Sequence, residues 1–239
     1  MGKTKKPALK SLPPTWREEM WERASQPDWR LSRPQLLPAL ALLWLTGCRP
    51  SEIQSGVSIA WGDNVLVLAI TGAKCIDAGG RERGQPRRRY AFRTGPNEEA
   101  TSPALRALRL CALDAASTTG VSRCVISHDA DYLYNSVVEL GRNVFPKMRT
   151  RVSPYCFRHQ LASDLKSDSD LTLEEAAKIM GHLSDYSIGK YGHAVHGGKG
   201  RRIHPLGVET SRPVKHSPKV DRLARFKIAS AQRQSQKPK

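Results

Sequence analysis

The apolar positions change spacing several times along the chain, and each change marks an element. A short helix is predicted over Trp16 to Ser25, and a second from Arg33 to Leu45, with Pro34 in its first turn and Gly47 as its stop. The run LLPALALLWL inside that second helix is core; interrupted by Pro38, it is too short to span a bilayer. Pro50 suits the first turn of a further helix carrying Glu52 and Ile53. Val65 to Thr71 and Arg88 to Arg93 read as strands joined by the Gly-rich basic segment AGGRERGQPRRR, a long hairpin with Lys74 just past its first strand. Residues 103–117 repeat apolar side chains at helical spacing, 130–148 continue in the same manner, and Pro154 precedes the helix of FRHQLASDL. Thr172 followed by Glu175 is a capping box that opens a helix through Met180. Several helices with one small antiparallel sheet make the fold α+β, mainly α-helical, without internal repeats.

The ends differ from this middle. Residues 1–29 read as a basic extension, disordered over the Lys- and Pro-rich first 15. Residues 30–198 form the domain. From 199 to 239, twelve Lys or Arg face only Glu209 and Asp221, so this stretch reads as a basic tail. It is expected to be disordered when free from about Pro213, with a helix around Val220 to Gln232.

Composition adds one strong constraint. At 239 residues, the chain carries a net charge of +17 and a pI near 10.1. A positive field of that size favours polyanions, nucleic acid first among them. The five cysteines stand singly without a CxxC pair, which argues against a disulfide framework and a zinc site and fits a reducing cytoplasm. MGKTKKPALK has no apolar stretch behind it and does not read as a signal peptide. A cytoplasmic, nucleoid-associated protein with no membrane contact is expected.

Candidate chemistry lies at five places. TGCRPSE supplies Arg49, TGAK supplies Lys74, PYCFRHQLAS supplies Arg158, and GHLSDYSIGKYGH supplies His182 and Tyr191. Cleaving a phosphodiester needs an in-line nucleophile, positive charge on the developing phosphorane oxygens, a proton for the leaving oxygen and rigid positioning. Arginine can do the charge work without a metal, because its planar fork binds phosphate oxygens bidentately. No clustered carboxylates stand near these residues, and neither a metal nor a cofactor is expected. His193, His196, His204 and His216 have no cysteine beside them and are not read as a metal site. His159 reads as a buried structural histidine. Tyr186 lacks the interval from His182 that Tyr191 has. The hairpin arginines Arg81, Arg83, Arg87, Arg88 and Arg89 are candidates for contacts to the DNA backbone.

Taken together, these motifs resemble the tyrosine recombinase (phage integrase) family. TGCRPSE matches its TGxRxxE box, Lys74 its hairpin lysine, and Tyr155-Cys156-Phe157-Arg158 its HxxR box. Met180-Gly181-His182 matches its LGH box and KYGH its terminal tyrosine motif. Arg49 precedes Lys74 by 25 residues and Arg158 by 109, and Tyr191 follows His182 by nine, all in the family's order. The likeness spans roughly residues 30–195. It implies that Tyr191 attacks the scissile phosphate to form a 3′-phosphotyrosyl link, and that Arg49 and Arg158 stabilise the transition state. Lys74 would protonate the 5′ oxygen, His182 would hydrogen-bond a phosphate oxygen, and Glu52 would brace Arg49. Tyr155 stands where the family has histidine; its hydroxyl can donate to phosphate but is a poor proton shuttle at neutral pH. Only 48 residues precede Arg49, so a full core-binding domain is not expected, and the basic ends would supply part of its phosphate contact. The implied partners are double-stranded DNA and three further copies in a homo-tetramer, with an accessory or full-length recombinase as a further partner. Two other readings stay open: a catalytically weak DNA-binding regulator or partner subunit, and a compact type IB topoisomerase.

Overall fold

The computed structural model describes residues 6–75, 82, 84–198 and 203–220. In chain order the elements are α1 (Lys6–Ser11), α2 (Trp16–Ala24), α3 (Pro27–Ser32), α4 (Leu36–Thr46), α5 (Pro50–Gln54), β1 (Val57–Gly62), β2 (Val65–Thr71) and β3 (Arg87–Arg93). There follow α6 (Pro96–Thr101), α7 (Pro103–Thr119), β4 (Arg123–Ile126), α8 (Ala130–Val144), α9 (Pro154–Ser167), α10 (Leu173–Met180) and β5 (Gly207–Thr210). The fold is α+β, as the sequence predicts.

The strands form one antiparallel sheet in the order β4-β1-β2-β3-β5. Strand side chains alternate between faces, so the register defines rows. On the buried face these rows run Ile59–Leu68–Tyr90 and Trp61–Leu66–Phe92. The adjoining row is Val57–Ile70–Arg88, which places an arginine where its neighbours are apolar. Helices α4, α7, α9 and α10 pack behind that face and close the core.

Element boundaries follow local chemistry. α4 starts at Leu36 and keeps Pro38 in its first turn, where a missing N–H removes no intrahelical bond. α8 stops at Val144 because Pro146 disfavours helical backbone at the residue before it. The Thr172–Glu175 capping box opens α10 as predicted.

Both ends differ from expectation. Trp16, Met20 and Ala24 recur every fourth residue, forming one apolar stripe on α2. They enter the same core as the rest of the chain, together with Leu9 and Trp29. The indole of Trp16 donates to Gln160 at 3.2 Å, and Arg17 pairs with buried Asp164 at 2.9 Å. Residues 6–32 are therefore part of the domain. At the other end, β5 pairs with β3, the Lys215 N–H donates to the Leu183 carbonyl at 2.7 Å, and His216 meets Asp185 at 2.7 Å. Residues 203–220 of the expected tail thus lie against the body. The helix expected around Val220 to Gln232 falls, beyond Val220, outside the described residues. No described helix is long and apolar enough to cross a membrane.

Candidate active site

The site is assembled from three chain turns that meet beneath the sheet. The first joins α4 to α5. There Glu52, 1% exposed, accepts the Arg49 backbone N–H at 2.8 Å and the Arg49 guanidinium at 2.7 Å. Oε2, which accepts the backbone N–H, also takes Arg88 Nη2 at 2.8 Å. Burial would raise the Glu52 carboxyl, but Arg88, Arg49 and Arg158 outweigh it and lower it to about 2. Glu52 is an ionised hub that orients two arginines.

The second turn is the end of α10. The last carbonyls of a helix have no intrahelical donor and carry the negative end of its dipole, so they attract cations. Tyr90 donates to the Ile179 carbonyl at 2.6 Å, while Arg88 and Arg158 share the Met180 carbonyl at 3.0 and 2.7 Å. Gly181 follows with positive φ, and a Cβ there would collide with the Arg88 guanidinium. This close approach fixes His182, which is 6% exposed. Burial first, and then Arg158, Arg49 and Arg88, push the imidazole well below its ordinary value, so it is neutral. Arg158 Nη2 lies 3.2 Å from His182 Nε2. A guanidinium only donates, so Nε2 accepts and the proton sits on Nδ1.

The third turn carries Tyr191, just after a short 3₁₀ segment at Asp185–Lys190. Its ring stacks on His182 at 5.1 Å between centroids, and Arg158 Cζ lies 4.9 Å from the ring centre. Burial would raise the phenol, yet the guanidiniums of Arg158 and Arg49 hold it below its ordinary value. Arg158 itself is 1% exposed and donates to the Gly47 carbonyl at 2.6 Å.

The structure thus brings Arg49, Arg158, His182 and Tyr191 together from segments far apart in sequence. Lys74 is exposed in the bend after β2. Partial burial, and then the Glu52 carboxylate, push up the thiol of Cys75, the next residue. Tyr155 is half-buried in the first turn of α9. Arg87 and Arg89 are exposed on the outer face of β3.

Arg88 departs from the expectation of a backbone-phosphate contact. It is 2% exposed and committed to Glu52 and Met180, because strand parity turns it inward with Tyr90 and Phe92. Arg81 and Arg83 lie outside the described residues. Sequence reading also passed over Arg93, exposed on the same outer face as Arg87 and Arg89, and Lys166, which sits under Tyr191. Alternation in RRRYAFR held the signal for Arg88 and Arg93; Lys166 had none.

Three guanidiniums surround one carboxylate, a surplus of two positive charges beside a phenol. Arg88 Nε, Arg158 Nε and His182 Nδ1 are buried donors without a hydrogen-bond partner among the described residues. Buried donors ordinarily have partners, so this excess favours an anion. Two positive charges match the charge on a phosphodiester once a nucleophile has added to it.

No family model matches the sequence, and no curated protein does. Among solved structures, the crystal structure of XerA recombinase is similar, at 17% identity and a TM-score of 0.46, over 74% of this chain and 57% of that one. The chain thus spans less than two thirds of that protein, and at this distance the likeness assigns neither a site nor an activity.

Proposed function

We propose that this chain is a DNA strand transferase of the tyrosine recombinase type. The observation that carries the reading is Tyr191, its phenol lowered by two arginines and its ring 4.9 Å from one of them, in a cluster with surplus positive charge. Tyr191, its proton lost to solvent, attacks as the phenolate: the bond from its oxygen to the scissile phosphorus forms as the bond to the 5′ oxygen breaks, leaving a 3′-phosphotyrosyl link. Arg49 and Arg158 take up the charge that grows on the non-bridging oxygens. Lys74 gives its proton to the departing 5′ oxygen, and His182 donates from Nδ1 to the phosphate. Tyr155 adds a hydroxyl donor at the site's edge. The covalent link conserves the phosphodiester's energy, so a second DNA end can reverse the step, which suits strand exchange. Double-stranded DNA is the substrate, four copies act on two sites, and Arg81, Arg83, Arg87 and Arg89 grip backbone phosphates.

A DNA-binding regulator is the second reading. It is favoured by Arg158, whose two terminal nitrogens are engaged with Gly47, Met180 and His182. One experiment separates the two. Wild type and Tyr191→Phe are incubated with a nicked suicide duplex from the protein's own flanking DNA, and products are run on a denaturing gel. A wild-type adduct that survives denaturant and is absent in Tyr191→Phe is the expected result. Clear mobility shift with no adduct would leave the regulator.

A further inference from the structure

The face of α9 that meets the Tyr191 segment carries a buried lysine to which the proposed chemistry gives no role. Lys166 is 8% exposed, and its ammonium donates to the Tyr191 carbonyl at 2.9 Å and to the Gly192 carbonyl. Seven residues earlier on the same helix, His159 Nδ1 accepts the Gly192 N–H at 3.1 Å. Seven residues make about two helical turns, so both side chains lie on one face. Ser163 lies between them. Gly192 rests flat on that face, where a Cβ would collide with Ser163 Oγ and the His159 carbonyl. The main chain just after the Tyr191 Cα is therefore held through both its carbonyls and an N–H.

The identity of the residue matters. A buried ammonium is costly unless its donors are filled, and an apolar side chain of similar volume would serve packing as well or better. The two carbonyls it grips lie just beyond the 3₁₀ segment Asp185–Lys190. Without a donor there, those carbonyls would seek solvent and draw the backbone off α9. The ring of Tyr191, by contrast, is located by contacts to neighbouring side chains, at 5.1 Å from His182 and 5.3 Å from His159. Backbone anchoring is what converts those contacts into one fixed placement.

We propose that Lys166 is a positioning residue: by gripping the carbonyls of Tyr191 and Gly192 it fixes the tyrosine ring against the Arg158 guanidinium before DNA arrives. The consequence for strand cleavage rests on the function proposed above, whereas the placement of the ring does not.

The test uses the full chain, with Lys166→Met, Lys166→Arg and Tyr191→Phe. Phenolate absorbance is titrated for each Lys166 form with and without Tyr191→Phe, and the difference isolates one of the six tyrosines. In wild type, Tyr191 titrates below its ordinary value. In Lys166→Met its titration moves upward as the ring leaves Arg158 and Arg49, and Lys166→Arg restores most of the shift. On the suicide duplex, Lys166→Met slows adduct formation by roughly a hundredfold, the scale of a misplaced reacting group. Its DNA affinity stays at the wild-type value, and the rising limb of its pH–rate profile moves up with the titration. An unchanged titration in a folded Lys166→Met, or adduct formation at the wild-type rate, overturns the proposal. If the titration shifts but wild type forms no adduct, Lys166 keeps its positioning role and the strand-transfer reading falls. Should Lys166→Met not fold, Lys166→Gln, which keeps a neutral donor, is titrated instead; a smaller upward shift is expected, and none overturns the proposal.

Discussion

Arg88 and its neighbours Arg87 and Arg89 are adjacent on β3, yet they meet opposite environments. Arg88 lies in the inner row with Val57 and Ile70, bonded to Glu52 and the end of α10. Arg87 and Arg89 project from the outer face; the contact of Arg89 is a 3.9 Å pair with Glu209 in which both side chains are largely exposed. One face uses arginine as a structural cation that orders a site, and the other leaves it available to solvent and to polyanions. A run of like charges thus says little about role until the pleat assigns each member a side.

The comparison is broken most directly by removing each arginine in turn. Arg88→Ala leaves Glu52 buried with one fewer partner and is expected to destabilise the fold by roughly 3–5 kcal/mol. Arg87→Ala and Arg89→Ala are expected to stay within about 0.5 kcal/mol of wild type, as exposed positions do. Denaturant unfolding of the three variants gives the answer. Equal losses would mean that β3 does not have the parity described.

Within the inner cluster, shape should matter as much as charge. Arg158 spans the Gly47 and Met180 carbonyls with two nitrogens of one planar head, which a lysine ammonium cannot reproduce. Arg158→Lys is expected to lower the rate of the phosphotyrosine adduct by about 10²–10³-fold, the range for losing one transition-state donor. Arg89→Lys, exposed and bound by no such geometry, is expected to leave it unchanged. Single-turnover cleavage at saturating DNA compares the two.

Acid should dissolve the inner cluster and spare the outer face. Glu52 and His182 both have folded values depressed below their ordinary 4.5 and 6.5. A depressed group contributes stability that is complete above its unfolded value and is lost as pH falls towards its folded one. Stability should therefore begin to fall below about pH 6.5 as His182 is called on to ionise, and fall further between 4.5 and about 2 as Glu52 is protonated. Glu52→Gln is expected to flatten the lower part of that curve. Unfolding free energies measured across pH 2–7 test the sign, and a loss with rising pH would contradict the cluster's electrostatics.

Much of this arrangement was legible in the chain. β2 came out at its observed bounds because VLVLAIT is a short apolar run closed by Gly72, and β3 within a residue because its later positions alternate. Proline placed the starts of α5 and α9 and Gly47 the end of α4, whose start falls at Leu36 rather than at Arg33 with Pro34 in its first turn, and the boxes around Arg49, Arg158, His182 and Tyr191 marked residues that the fold does bring together. Other features escaped for physical reasons. β4 and β5 have four residues each and take their identity from partners distant in sequence. The stripe Trp16–Met20–Ala24 was within reach of a periodicity argument, but the Lys- and Pro-rich residues before it suggested an extension instead. Lys166 was hidden because burial of a lysine depends on two main-chain carbonyls 25 and 26 residues away.

The smallest expected effect sharpens the outer half of the comparison. Each phosphate neutralised by a protein cation contributes about 0.9 to the slope of log affinity against log salt. If Arg87 and Arg89 each meet one phosphate, Arg87→Gln/Arg89→Gln should make the slope shallower by about two. The change should be the same on specific and unrelated duplexes, because backbone contacts carry no sequence information. Adduct chemistry at saturating DNA should be untouched, since neither side chain enters the Glu52 cluster. Mobility shifts at several salt concentrations measure the slope. A slope equal to wild type would mean that neither outer arginine meets a phosphate.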